Sequence, residues 1–545
     1  MKLTEKLAWT VYQIYVPSFA DSNDDGVGDL EGVLSHLDDL ASFDVQVLDL
    51  SPLFASPNLD DGEDVMDYYS LRTEFGSLED LKRLVKEAEK RNLKVILDFP
   101  IHHVSIKHPW FSSSFESNSP FRSCFVWSVG RKKNHIPPNN WTMADGSSAW
   151  TYVPEAKAWY LHTHRKEEAD INGDSPLFQQ EMEKIFRFYL DLGIYGFRFD
   201  AIDSLCKESL EKGKKAKFLI GEEHCRVTEG DHALFRHFRE DVFSHYDCMI
   251  VGCVGEIPYK NARRFVTEAV DFVQPRAYGW GQNERPRHWQ NRYSLKALHE
   301  MVFSWQRELD GNVPYFENKN LPRSLSRLVR NSKSAQMAAK AFATLLLSLR
   351  GVPFLYQGEE LGITNHSFIE PRDYHDSFAS ALYETLRRRY HLSVRRSKAI
   401  VNRFNPDHAR FPFPWSEEQI QNLSHKGSKL LFTMQNQDIP LEKQQKDPNS
   451  VWSYYRELLS FRSSSKTLQE GDFEPLLTKS NILAYWRSYQ GEMLFVLINL
   501  TGHRVSLPRK ISTMVGQVRL SNYPHAGLTY KKRLRPYEAL IAKVK

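Results

Sequence analysis

Through its first hundred residues this chain alternates short β-rich runs with amphipathic helical patterns, and that alternation limits the fold to parallel βα units. Val11 to Val16 reads as a strand, Leu30 to Phe43 as a helix and Val45 to Leu50 as the next strand. Leu78 to Asn92 is helical again, with Ser77 and Asp80 spaced for a capping box, and the apolar strand Lys94 to Phe99 follows. The rhythm then stops. From His103 to about Asn172 the chain is rich in Ser, Pro, Asn and Trp. A structureless loop of that length does not suit a compact domain, so a small inserted domain is expected there.

Regularity returns with a helix over Ser175 to Leu192, ended by Gly193, and a strand over Gly196 to Ala201. Further β-type runs at Cys248 to Gly252, Val270 to Val273, Val313 to Phe316 and Val352 to Tyr356 bring the strand candidates to eight. Ala335 to Arg350 carries small and apolar residues on most faces, as a helix packed on a barrel wall would. From about Asn481 the pattern alternates, at Ile482 to Trp486, Met493 to Leu500 and Tyr537 to Val544, which predicts an antiparallel β-domain. Single cores stop growing at roughly 250–300 residues, so a long chain is divided. The expected class is α/β, a (β/α)₈ TIM barrel with a small inserted domain after strand three and a C-terminal antiparallel β-domain. The barrel takes residues 1–103 and 174–475, the insertion 104–173, a subdomain residues near 366–448, and the β-domain 476–545.

Charge excludes some partners. With 72 basic and 68 acidic residues the net charge is +4, too balanced for a nucleic-acid or membrane-surface protein. Five cysteines, Cys124, Cys206, Cys225, Cys248 and Cys253, lack CxxC spacing and suggest neither a zinc site nor a disulfide framework. The N-terminal residues lack the apolar core of a signal peptide, and the apolar stretch from Phe342 to Leu349 is too short to span a bilayer. The expected location is the cytoplasm.

In a parallel barrel the active site lies at the C-terminal ends of the strands. The polar residues there are Asp98 and His103 after strand three, Arg198 and Asp200 on strand four, Cys253 or Glu256 after strand five, and Asn318 to Asn320 after strand seven. Any one of these alone reads as a strand-end cap or a loop ion pair. Several at matching strand ends point to a site.

Gly196-Phe197-Arg198-Phe199-Asp200 resembles the nucleophile motif of the α-amylase family of glycoside hydrolases. Nearly the whole chain shares the likeness. Val11-Tyr12-Gln13-Ile14-Tyr15, His108-Pro109-Trp110-Phe111, Gly146-Ser147-Ser148-Ala149-Trp150 and Tyr356-Gln357-Gly358-Glu359-Glu360 are similar to the branch of oligo-1,6-glucosidases, α-glucosidases and trehalose-6-phosphate hydrolases. Glu168-Ala169-Asp170-Ile171-Asn172 is most similar to the last of these. The resemblance implies a retaining mechanism, in which one carboxylate attacks the anomeric carbon and a second carboxyl about 5–5.5 Å away protonates the leaving oxygen. It makes Asp200 the nucleophile, with Arg198 keeping it ionised.

The rest of the set departs from the pattern. The family's Tyr-Asp-x-Met-x-Val-Gly-Glu run aligns with Tyr246-Asp247-Cys248-Met249-Ile250-Val251-Gly252-Cys253, which puts a cysteine at the acid position. A gapped alignment instead matches Val254-Gly255-Glu256 and makes Glu256 the acid, while Glu222 and Glu223 imitate the motif more superficially. The family's Asn-His-Asp-Gln-Pro-Arg becomes Asn318-Lys319-Asn320-Leu321-Pro322-Arg323, so the transition-state carboxylate is the amide Asn320 and a sugar-binding histidine is Lys319. Asp-x-x-x-Asn-His becomes Asp98-Phe99-Pro100-Ile101-His102-His103, and Glu63 stands where a stacking tyrosine is expected. Asp64 and Arg410 match a pair that closes the pocket around a terminal glucose, and Ala201 matches the α-1,4-preferring members.

Asp21, Asn23, Asp25, Val27 and Asp29 space oxygen ligands like the first part of a calcium loop, with Gly26 allowing the tight turn. A strand precedes this loop and Gly32 takes the twelfth position, so it is not an EF-hand. The resemblance separately implies structural Ca²⁺ or Mg²⁺ at the same place. The expectation overall is a protein for a small α-glucoside or oligosaccharide whose catalysis is lost or strongly reduced, acting by sugar binding or beside an active homologous enzyme. The alternative is an active retaining exo-α-glucosidase or trehalose-6-phosphate hydrolase with Asp200 and Glu256 as its carboxyl pair.

Overall fold

The computed structural model describes residues 3–143, 146–214, 219–281, 294–329, 334–366, 370–419, 439–476, 481–523 and 533–544. Part of the subdomain expected near 366–448 therefore lies outside the described residues. Seven parallel strands form the barrel wall: β1 (Val11–Tyr15), β2 (Val47–Ser51), β3 (Lys94–Phe99), β4 (Gly196–Phe199), β5 (Met249–Val254), β6 (Phe272–Pro275) and β7 (Phe354–Tyr356). They are ordered β6-β5-β4-β3-β2-β1-β7. Every residue of β1 and β2 is buried, as continuous apolar runs in a sheet covered on both faces must be.

The gap between β6 and β7 is filled by residues 311–316, where an eighth strand was expected. Val273 N–H donates to Gly311 O (2.9 Å), Val313 N–H to Val273 O (3.0 Å) and Phe354 N–H to Pro314 O (3.0 Å). Hydrogen bonds on both sides close the barrel. The segment nevertheless forms only an isolated bridge, Val273 with Asn312, because Pro314 has no N–H to give the ladder.

Local rules explain most of the helices. α1 (Leu78–Glu89) starts at the expected capping box, with Ser77 and Asp80 each accepting the other's backbone N–H, and buries Leu81, Leu84 and Ala88 on one face. α2 (Pro176–Leu192) ends at Gly193, whose φ of 106° is the left-handed conformation of a C-cap. α3 (Ala335–Ser348) is buried on every face from Ala338 onward. It lies between the barrel and the C-terminal region, where Thr344 meets Tyr454 and Ser348 meets Tyr485 at hydrogen-bond distance. One expected helix is broken. Leu30 to Phe43 divides into Leu30–Ser35 and Leu37–Ser42 at His36, whose ring stacks on Trp415 with centroids 3.5 Å apart. Tertiary packing there overrides a continuous helical pattern.

After β3 the chain pairs His103–Ser105 with Glu168–Asp170, antiparallel, and between them builds a three-stranded sheet from Trp127–Ser128, Trp150–Val153 and Ala158–Leu161. Its small core of Val126, Trp141, Ala149, Trp150 and Leu161 also takes in Cys225 from the loop after β4. The chain ends in an antiparallel sheet of β8 (Asp472–Pro475), β9 (Ile482–Tyr489), β10 (Glu492–Asn499), β11 (Val515–Ser521) and β12 (Ala539–Val544), ordered β8-β9-β10-β12-β11. No helix among the described residues is long and apolar enough to cross a membrane.

Candidate active site

Charged residues on the inner faces of the strands build a polar layer inside the barrel mouth. Arg198 on β4 lies directly across from Asp98 on β3 in the parallel register. Its Nη2 is ion-paired with Asp98 Oδ1 at 2.7 Å and its Nε donates to Asp49 Oδ2 on β2 at 3.0 Å. Its Nη1 points at Cys253 Sγ (3.1 Å) and Gln274 Oε1 (3.2 Å). Gln13 on β1 donates to the same Asp49 oxygen at 2.8 Å. A buried guanidinium is tolerable only with its donors matched, and this one meets two carboxylates, an amide and a sulfur. Burial lifts Asp49 to about 6, although Arg198 pulls it down.

Asp200 follows β4 immediately and keeps more than a third of its side chain exposed, with Oδ1 accepting from Arg276 Nη2 at 3.0 Å. Burial works against its charge, but Arg276 and then Arg198 outweigh that and hold its carboxyl well below the usual carboxylate range. Ala201 next to it has φ of 53°, a left-handed conformation that costs a residue with a Cβ and fixes the sharp exit of the chain.

Cys253 is the side chain of β5 that enters the polar layer. Its thiol lies 3.1 Å from Gln274 Oε1, across the β5–β6 pair in which the two residues are partners, and donates to it. Burial pushes the thiol up to about 12 against the pull of Arg198, so it stays protonated at neutral pH. Glu256 lies two residues beyond the end of β5 and is exposed, after Gly255, whose N–H donates to Asp203 Oδ2 at 3.0 Å. Glu222 and Glu223 belong to a separate turn, where Glu222 is ion-paired with Arg226 at 2.6 Å.

Lys319 reaches into the mouth from the far side. Its Nζ is ion-paired with Asp98 Oδ2 at 2.7 Å and also with Glu63, and only 4% of its side chain is exposed. Burial lifts Glu63 to about 7, against the attraction of Lys319. Asn320 is exposed and its Oδ1 accepts from Arg410 Nη2 at 3.1 Å. Arg410 also donates from Nε to Lys319 O at 3.0 Å, so it pins the loop that presents both residues.

The expected pairing of Asp64 with Arg410 is not what forms. Arg410 pairs with Asp61 and, at 3.1 Å, with Asp376. Asp64 is fully buried and accepts from Ser56 Oγ (2.7 Å), Leu59 N–H (3.0 Å) and Asp60 N–H (3.2 Å). The tight turn through Asn58, Asp61 and Gly62, all at positive φ, folds Asp64 under its own loop and leaves Asp61 facing Arg410. His103 meets His102, His164 and Glu168.

Sequence reasoning passed over Arg276, Gln274, Asp49 and Asp61. Arg276 had a usable signal, since it is the first polar residue after β6, where the same strand-end rule applies.

In the loop expected to hold a metal, Asp21 accepts from Asn23 N–H (3.1 Å) and Gly26 N–H (2.8 Å), and Asp25 accepts from Val27 N–H (2.8 Å). Asp29 caps the helix that follows through Gly32 N–H (2.6 Å). Among the described residues, the groups of His, Cys, Asp and Glu whose ligand atoms gather within 4.8 Å do not include Asp21, Asp25 and Asp29 together. The carboxylates close turns here.

A parallel barrel with a small insertion after β3 and a charged mouth around a strand-four aspartate has its candidate site where parallel-barrel enzymes carry theirs. Residues 13–471 match the family model described as alpha amylase, catalytic domain. The chain is 32% identical to the oligo-1,6-glucosidase of Parageobacillus thermoglucosidasius, over 99% of this chain and 100% of that protein. It is 30% identical to the trehalose-6-phosphate hydrolase of Bacillus subtilis, over 99% and 98%. The crystal structure of the Bacillus licheniformis trehalose-6-phosphate hydrolase superposes with a TM-score of 0.89 at 27% identity, covering 99% of each chain. A mutant of the same enzyme in complex with PNG superposes with a TM-score of 0.91. This chain belongs to the α-amylase family, and its relatives include oligo-1,6-glucosidases and trehalose-6-phosphate hydrolases.

Proposed function

We propose that this protein binds a small α-glucoside at the barrel mouth and that its glycosidic-bond cleavage is lost or strongly reduced. One observation carries the reading: the β5 side chain that joins Arg198 and Gln274 in the polar layer is a thiol, Cys253, which the family's sequence pattern aligns with the carboxylic acid of a retaining mechanism. Its proton is held by a group lifted to about 12, which makes it a weak acid for a leaving alkoxide. General acid catalysis contributes a factor of about 10²–10⁴, or about 3–5 kcal/mol of barrier. Two further contacts support the proposal. Asn320 offers an amide dipole, not a full negative charge, to an oxocarbenium-like transition state. Lys319, clamped between Asp98 and Glu63, neutralises carboxylates at the mouth.

A second reading has its own support. Similarity to an oligo-1,6-glucosidase and a trehalose-6-phosphate hydrolase runs along 99% of the chain, which favours retained chemistry, and in this reading Asp200 is the nucleophile and Glu256 the acid. Maltose, isomaltose and trehalose 6-phosphate, assayed for both binding and turnover, separate the two. The proposal expects saturable binding with hydrolysis at least about 10²-fold below an ordinary family enzyme and unchanged in Glu256→Gln. Ordinary turnover, abolished by Glu256→Gln, overturns it.

Ca²⁺ or Mg²⁺ in the loop of Asp21 to Asp29 is proposed as a structural ion, supported by the Asp and Asn spacing and by the lone pairs left on oxygens that accept a single N–H. A reducing cytoplasm is proposed as the compartment, supported by five buried, free cysteines. Association with an active homologous enzyme belongs to the same proposal, and co-elution of the two chains tests it.

A further inference from the structure

Beside the strand-three end of the mouth, three side chains from two segments converge: His103, His164 and Glu168. One ligand atom from each lies within 4.8 Å of the other two. Glu168 Oε2 is 2.7 Å from His164 Nδ1 and 3.6 Å from His103 Nε2. The strand pair fixes two of them, since His103–Ser105 and Glu168–Asp170 are antiparallel with Glu168 opposite Ser105, so Glu168 and His103 occupy the same face as diagonal neighbours. His164 comes from the turn just before, with its ring stacked on that of His103 at 5° and 5.5 Å between centroids.

Two atoms in this cluster are unsatisfied. His103 is 7% exposed and Glu168 is wholly buried, yet His103 Nε2 and Glu168 Oε1 have no hydrogen-bond partner among the described residues. A buried imidazole nitrogen left this way is costly, and a cation held beside it by Glu168 Oε2 gives it a partner. The tautomer suits a ligand too. His102 Nε2 faces Asp170 Oδ2 at 3.8 Å and its Nδ1 is 3.4 Å from His103 Nδ1. If His103 donates from Nδ1 to His102, the Nε2 lone pair is left pointing at the cluster, the arrangement in which an outer partner orients a metal-binding imidazole.

We propose that His103 Nε2, His164 Nδ1 and Glu168 bind a divalent transition-metal ion of the Zn²⁺ type. Two imidazoles and one carboxylate suit Zn²⁺, Co²⁺ or Ni²⁺ better than Ca²⁺ or Mg²⁺, which take oxygen ligands. In a tetrahedral site with bonds of about 2.0–2.1 Å, ligand atoms stand about 3.3 Å apart. The separations of Glu168 Oε2 from the two histidine nitrogens, 2.7 and 3.6 Å, straddle that value. The ion replaces the proton that His164 Nδ1 now shares with Glu168. Three protein ligands leave a fourth position for water or a sugar hydroxyl, with Asp60 Oδ2, 3.6 Å from His164 Nδ1, able to hold a bound water. The site goes beyond the sugar-binding reading and stands without it.

The test uses the full chain, stripped with a chelator, saturated with Ca²⁺ and titrated with Zn²⁺ by calorimetry, then with Co²⁺ by visible absorption. Wild type is expected to take one Zn²⁺ that is weakened at least about 100-fold by His164→Ala, a half-exposed position whose change leaves the fold intact, and also weakened by the isosteric Glu168→Gln. Co²⁺ is expected to give d–d bands of nitrogen and oxygen ligation. Wild-type binding no tighter than that of His164→Ala overturns the proposal, and so does a thiolate-to-cobalt charge-transfer band, which would place the ion on cysteine.

Discussion

Replacing Lys319 by methionine removes the cation from between Asp98 and Glu63 while keeping most of its volume. At 2.7 Å and an effective dielectric near 20, the Lys319–Asp98 attraction is about 6 kcal/mol before desolvation is set against it. Breaking one side of such a buried pair costs about 3–5 kcal/mol, because the carboxylates stay buried without it. The loss should depend on pH. Glu63 is lifted to about 7 from an unfolded value of about 4.3, so the folded state binds more protons in that window and stability falls as pH rises through it. Without Lys319 the Glu63 carboxyl moves higher still and the decline continues above about pH 7. Thermal melts followed by circular dichroism at about pH 5.5 and about pH 8 should show a gap between wild type and Lys319→Met at both values, from the broken Asp98 pair, and a wider one at the higher pH, where the Glu63 contribution is added. An equal gap at both values would mean that Lys319 does not act on the Glu63 carboxyl and would refute the reasoning.

Arg276→Met takes the nearest cation from Asp200. A depressed carboxyl contributes stability above its unfolded pKa and loses it on acidification, so the wild-type advantage in melting temperature should shrink as pH falls toward about 3, and a constant advantage contradicts the pairing. Ser77→Ala removes the cap of α1 and should cost about 1 kcal/mol in denaturant unfolding. Ca²⁺ should raise the melting temperature of wild type and leave Asp25→Ala unchanged; an equal response from both removes the metal from the loop. Asp61→Ala should loosen the loop held by Arg410 and weaken sugar binding more than Asp64→Asn does, and the reverse order would restore the expected pair.

The barrel was legible because its signals are local and redundant. Apolar strand runs, the Ser77 box and the Gly193 cap each act within a few residues, and all but the run at Val313 to Phe316 appear as expected. Signals failed where distant chain decides the outcome. His36 breaks a helix to stack on Trp415, 379 positions later in the chain as 415 minus 36. Asp61 displaced Asp64 as the partner of Arg410 because three positive-φ residues turn the intervening loop, and spacing alone does not show which carboxylate such a turn buries. The cluster of His103, His164 and Glu168 spans an entire inserted domain, so no motif window contains it. Cys253 was visible from its alignment with the family's acid position, but its contacts with Arg198 and Gln274 needed the register of three neighbouring strands.

Whether an effective acid stands opposite Asp200 decides between a binding protein and a working hydrolase. A series of aryl α-glucosides with leaving groups of increasing basicity tests this most directly, since an enzyme without an acid must expel each phenolate unaided. With Cys253 at the acid position, the rate should fall steeply as the leaving group becomes more basic, with any turnover confined to the most activated glucosides and abolished in Asp200→Ala. A rate nearly independent of the leaving group, extending to maltose, would contradict the loss of the acid and return that role to a carboxyl such as Glu256.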